Sequence, residues 1–194
     1  MTFCAARVLS GLLLAVGLGG AAAAGPLGDL AARAEQRLAL GDNAGALAVA
    51  ADLQGQIWDA SPEIGLHDAL LVAEPAPGFG LYNPRADNKF KSGAPVYIYA
   101  EPYGFGYGSG GDGLYTIDFA VDLRVTTPMG EMIAEVADVA NLALTSRYKN
   151  REFQANLTYT LTGITPGTYV LETTLRDKNS GKTGRFETEV EFTE

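Results

Sequence analysis

Cysteine, histidine and tryptophan each occur once in this 194-residue chain. A single thiol, Cys4, cannot close an intrachain disulfide or supply a cysteine-rich metal site, so stability must come from burial and hydrogen bonding. With His67 as the only imidazole, any acyl-transfer triad would have to be assembled around that one residue. Lys and Arg number 14 against 23 Asp and Glu, a formal charge of −9. That balance argues against nucleic acid and anionic lipid surfaces, which select clustered cations. No apolar run approaches the roughly 20 residues that a membrane-spanning helix needs.

The apolar run that does occur is informative. Arg7 precedes residues 8–18, which are rich in Leu and Val, and Ala22, Ala23 and Ala24 follow. This pattern predicts a cleavable export signal over residues 1–24, hence a periplasmic or secreted mature protein with no membrane span. Cys4 lies before the apolar run, whereas a lipoprotein would carry its cysteine after it, so the thiol leaves with the leader. The remainder is long enough for one domain with an ordinary core and a small appendage.

Residues 25–62 are rich in Ala and Leu at helical spacing. One stripe joins Leu30, Ala34 and Leu38, and a second joins Leu47, Ala51, Gln54 and Trp58. Gly41 suits the left-handed residue that ends a helix, and Asp42 or Asn43 can accept hydrogen bonds from the amides opening the next. The expectation is a helical hairpin. Its Gly-Asp break and the following Ala44, Ala46, Leu47 and Ala50 resemble one tetratricopeptide-type repeat, but solenoids need about three copies and no second is found. Packing against the following domain is expected instead, with Trp58 as its anchor.

After Ser61 and Pro62 the periodicity changes to two. Strands are expected at residues 69–73, 95–101, 115–125, 132–136, 153–161, 168–176 and 185–192. Ile117, Phe119, Val121, Leu123 and Val125 alternate with polar partners, so one face of that strand is buried and the other wet. Residues 75–93, rich in Pro and Gly, form an extended connection, and Asn179, Ser180 and Gly181 favour a tight hairpin. Seven alternating strands joined by turns, after a short α-helical hairpin, specify a mainly β chain with two antiparallel sheets face to face. Residues 63–194 form this sandwich.

Leu161, Pro166, Gly167, Tyr169 and Leu171, with Leu175 and Asp177 beyond, resemble an immunoglobulin-like or fibronectin-like β-sandwich. The resemblance implies that Tyr169 is the corner tyrosine, its hydroxyl bonded to backbone near the preceding strand end. Leu171 stands where antibody domains carry a cysteine, so antibody-type disulfide chemistry is not implied. The whole chain also looks like a family of exported bacterial proteins, a likeness that implies no activity.

Half of the aromatic residues fall between Phe79 and Tyr115. Tyr97 and Tyr99 lie opposite Val96 and Ile98 on their strand, so they either cover the helical hairpin or face solvent. Tyr103, Phe105 and Tyr107 alternate with Gly104, Gly106 and Gly108 in a flexible loop. Such residues either bind a ligand or partner, since they bring large area with few rotors, or fold back over a sheet edge and close a cavity. The fragment Gly110, Gly111, Asp112 and Gly113 resembles one copy of a calcium-binding β-roll repeat, and one copy cannot supply six to eight oxygens. Asp118 and Asp122 face the wet side of their strand, so no metal and no cofactor is expected.

Ser109 lacks the flanking glycine of a nucleophile elbow because Tyr107 occupies that place. His67, just before the first strand, reads as a surface or interface imidazole, and Glu187, Glu189 and Glu191 as a solvated ladder that discourages edge pairing. The sequence therefore points to a non-catalytic exported interaction module that binds a protein or envelope partner through Tyr103, Phe105 and Tyr107. The alternative is a glycan-binding protein or carboxylate-dependent hydrolase using the aromatic-rich residues 75–113.

Overall fold

The computed structural model describes residues 25–194, so the expected leader lies outside the described residues. The chain divides after Ala50 into two compact units. The first holds helix α1 (Pro26–Ala39) and the start of α2 (Asn43–Ala60). Gly41 takes φ +75° between them, and Asp42 Oδ1 accepts the Gly45 amide at 2.9 Å, so the expected break and cap both form. The buried stripe differs from expectation. Ala46 and Val49 are buried in α2, whereas Leu47 is 73 % exposed. Apolar residues occupy nearly every position from Ala44 to Ala51, so spacing alone cannot choose a face.

The second unit is a β-sandwich. Its smaller sheet has the order β1 (Gly65–Val72), β3 (Pro95–Tyr103) and β7 (Ala155–Thr160). The larger runs β2 (Lys89–Lys91), β9 (Thr183–Thr193), β8 (Gly167–Asp177), β5 (Tyr115–Thr126), with β4 (Gly108–Ser109) and β6 (Met132–Ser146) also on β5. All pairings are antiparallel except β2 with β9. Val96, Ile98, Leu157 and Tyr159 of the small sheet meet Ile117, Phe119, Val121, Leu171, Leu175, Val190 and Phe192 of the large one in a single core. The period-two residues of 115–125 are buried as expected, except that Tyr115 at the strand start remains partly exposed.

Among the described residues nine strands form where seven were expected, because β2 and β4 are too short to show periodicity. The strand expected at 132–136 continues to Ser146. Its ladder is interrupted at a bulge, where Asp138 adopts φ 53° and its amide donates to Asp122 Oδ1 at 2.9 Å, and Ala134 before it and Ala140, Leu142 and Leu144 after it pack on the same core. The Tyr169 hydroxyl donates to the Thr165 carbonyl at 3.0 Å, the corner that the family resemblance implied.

Tyr99 meets neither expected fate. It is fully buried on the outer face of the small sheet with Val72 and Ala76, beneath residues 73–88. That segment is a strap. The Ala73 amide donates to Asn83 and Arg85 to Leu71 beside β1, while Asn156 of β7 bonds both the amide and carbonyl of Ala76. Tyr99 completes the fixation by accepting the Gly80 amide at 2.7 Å and donating to Glu101 at 2.5 Å.

Candidate functional site

Chain passing from β3 in one sheet to β4 in the other must cross the end of the sandwich, and residues 103–108 make that crossing. Phe105 is 0 % exposed and packs on Trp58, Tyr107, Phe119 and Phe153 with ring centroids 5.0 to 6.0 Å apart. Its carbonyl accepts the Trp58 indole N–H at 2.7 Å. Of the two readings of these aromatics, Phe105 follows folding back rather than ligand contact: it is a plug, and its inclusion among the partner-binding residues is corrected because its ring offers no surface. The contact with Phe105 holds the Trp58 end of α2 within the second unit.

The intervening glycines serve close approach rather than mobility. Gly104 takes φ +80°, and a side chain there would also meet Ser61 Oγ at 2.9 Å. A Cβ on Gly106 would lie 2.7 Å from the Ser180 Cβ. The Gly106 amide donates to Asp177 at 2.6 Å and Lys182 donates to the Gly104 carbonyl at 2.8 Å, so the β8–β9 turn grips the crossing segment.

Tyr107 lies behind the plug. It is half-buried, and its hydroxyl donates to the Asn150 carbonyl at 2.8 Å. Lys149 stands over the Tyr107 and Tyr115 rings at 5.4 and 5.7 Å. Arg151 donates to Gln54 Oε1 at 2.7 Å and to the Ala51 carbonyl at 2.9 Å. Residues 149–152 are thus tied both to the crossing segment and to α2.

Of the three loop aromatics, Tyr103 alone opens onto the groove that results. This groove, of about 590 Å³, is bounded by Trp58 and Gln54 of α2, His67 of β1, Tyr103 of β3, Phe79 of the strap and Glu152. The exposed His67 ring rests on Tyr103 with centroids 4.5 Å apart and 34° between planes. Gly65 makes room for that ring, since a methyl group there would overlap it. Past Tyr103 the groove continues into a hollow beside Ser61 and Ile57, and past Phe79 and Glu152 into another beside Leu142 and Leu144. A separate hollow of about 630 Å³ between residues 84–88 and 187–189 has no aromatic lining.

Sequence reasoning singled out Tyr103, considered His67, Trp58 and Phe79, and placed Gln54 on the helical stripe with Trp58, but missed Arg151 and Glu152. These two lie in a turn where no periodicity marks them. No nucleophile system assembles around His67: among the described residues it hydrogen-bonds neither a carboxylate nor a hydroxyl, and Ser61 Oγ donates to the Glu63 carbonyl. Asp118 and Asp122 pair with Lys178 and Arg176 at 3.0 and 2.7 Å. The Arg176 guanidinium holds the Asp122 carboxyl below its ordinary range.

Burial pushes the Tyr107 hydroxyl up to about 12, and burial does the same for Tyr99, aided by Glu101, and for Tyr159. Because folding favours the neutral phenol, this contribution to stability is complete below about pH 10 and is lost as pH rises toward 12. Ultraviolet titration should find these three ionising only near the top of that window, together with alkaline unfolding. Ionisation of all nine tyrosines in one step near pH 10 would contradict the packing.

No family model matches the chain, and neither does any curated protein. Three solved structures show distant likeness. A superoxide reductase (neelaredoxin) variant from Ignicoccus hospitalis is 12 % identical over 73 % of this chain and 87 % of its own, with TM-score 0.37. Spo0M, a sporulation control protein from Bacillus subtilis, is 15 % identical over 68 % of this chain and 49 % of its own, so this chain spans about half its length; the TM-score is 0.33. A chitin binding domain from Burkholderia pseudomallei is 12 % identical over 69 % and 82 %, with TM-score 0.32. Scores this low assign neither a family nor a ligand. Among the described residues no helix is long and apolar enough to cross a membrane.

Proposed function

We propose that this protein is a non-catalytic binding module acting outside the cytoplasm, and that it takes its ligand or partner in the groove around Tyr103. The single observation carrying the reading is that partly exposed aromatic rings and polar side chains converge on an open surface whose walls are fixed from behind. A preorganised wall lowers the entropy cost of binding, and a few aromatic anchors supply most of the affinity. The acid, imidazole and phenol in this groove serve as contacts, because His67 stacks on Tyr103 and has no acid orienting it. Export is supported by the Arg7, apolar run and alanine pattern of the first 24 residues.

A photo-crosslinking residue placed at Phe79 or Glu152 in the native host should yield a specific adduct. The same residue at Met129 or Asp112, both exposed and away from the groove lining, should yield none. Equal labelling from all four positions, or none from the groove, would overturn the reading.

A further inference from the structure

The groove's chemistry narrows what it takes. Its ring surfaces stand beside side chains that offer donors and acceptors together. Among the described residues the Gln54 amide nitrogen, the Tyr103 hydroxyl, His67 and the Glu152 carboxylate have no hydrogen-bond partner. A polyol matches this set, since each hydroxyl both donates and accepts, while the C–H face of a pyranose ring packs on aromatic faces.

Other ligand classes fit less well. A phosphate or nucleic acid would need clustered cations, whereas the groove holds two, of which Arg151 is bonded to Gln54 and the Ala51 carbonyl and Lys149 stands over two tyrosine rings, beside the Glu152 carboxylate. An extended peptide would gain from an unpaired strand edge or a deep apolar hole. The central lining is side chains from a helix, strand ends, the strap and a turn, and it is open and polar. Both ends run on into neighbouring hollows, through Tyr103 on one side and through Phe79 with Glu152 on the other.

Resting on the proposed binding role of this groove, we infer that its ligand is an internal stretch of an uncharged polysaccharide chain, with pyranose rings packed along Phe79 and the His67–Tyr103 stack. The one tryptophan of the chain, Trp58, lines the groove and reports occupancy by its emission.

The test titrates the full mature chain with chitohexaose and cellohexaose and with the corresponding disaccharides, reading Trp58 emission and calorimetric heat. At least one hexasaccharide should bind, at least ten times more tightly than its disaccharide. Phe79→Ala and Tyr103→Ala should each weaken binding five- to tenfold with unchanged circular dichroism, while Tyr103→Phe, which keeps the ring, should stay within about twofold of the parent. Phe79 lies on the strap surface at 37 % exposure, so its truncation keeps the test valid if Tyr103→Ala folds poorly. Silence of both sugars alongside a peptide adduct from the Phe79 crosslinker would sink the saccharide inference and leave the binding role standing. Silence of both sugars with no adduct at all would sink both.

Discussion

Replacing Asp177 by alanine should lower unfolding free energy by about 2–4 kcal/mol, the range for losing a buried charged acceptor that three donors share. Asp177 is 2 % exposed, and its carboxylate receives the Gly106 amide at 2.6 Å, the Asn179 amide at 2.9 Å and the Ser180 hydroxyl. These three donors belong to the crossing segment and to the β8–β9 turn, so one side chain fastens the two together. Asn179 adds a bond to the Thr116 carbonyl at 3.0 Å on the β5 side of the same junction. Urea denaturation followed through Trp58 emission measures the loss. Asp177→Asn should fall between parent and alanine, because it keeps the volume but presents one acceptor oxygen in place of two. A change below about 1 kcal/mol in the alanine variant would mean that the crossing segment is held without this carboxylate.

Phe105→Ala should be comparably severe, about 3–5 kcal/mol, as expected when a large buried ring leaves a cavity. The side chain is wholly buried among four other aromatic rings, so the hole cannot be filled by a small shift of one neighbour. The Trp58 indole packs edge-on against it at 5.0 Å, and native-state emission should change even before denaturant is added. The contrast with Tyr103→Ala is the useful measurement. Residues two apart in one loop should separate cleanly, the first variant losing stability and the second losing ligand. If Phe105→Ala leaves stability near the parent value, the plug role is wrong.

The two variants mark where sequence reasoning stops. Tyr103, Phe105 and Tyr107 sit at equivalent places in a Tyr-Gly, Phe-Gly, Tyr-Gly run, and nothing local distinguishes them. What separates them is position across the end of the sandwich: Phe105 meets Phe119 and Phe153, Tyr107 meets Asn150, and Tyr103 meets Gly65 and His67. Each of those partners is well separated in sequence. The strap shows the same limit, because its Pro and Gly content announces an irregular connection but not that Asn156 holds it over Tyr99.

Read by itself, the chain determined its mainly β character, the inward face of residues 117–125, the break at Gly41 and Asp42 and the turn at 179–181. The corner at Tyr169 came with the family resemblance. The periodic features were legible because side-chain alternation, caps and turns are set by neighbours within a few positions. Only the tertiary structure decided which aromatic is core and which is surface, how β6 keeps its face through the bulge at Asp138, and that Gln54, His67, Phe79, Tyr103 and Glu152 share one groove. The physical reason is that burial and site geometry depend on pairings across the sandwich, and distance along a chain carries no direct record of them.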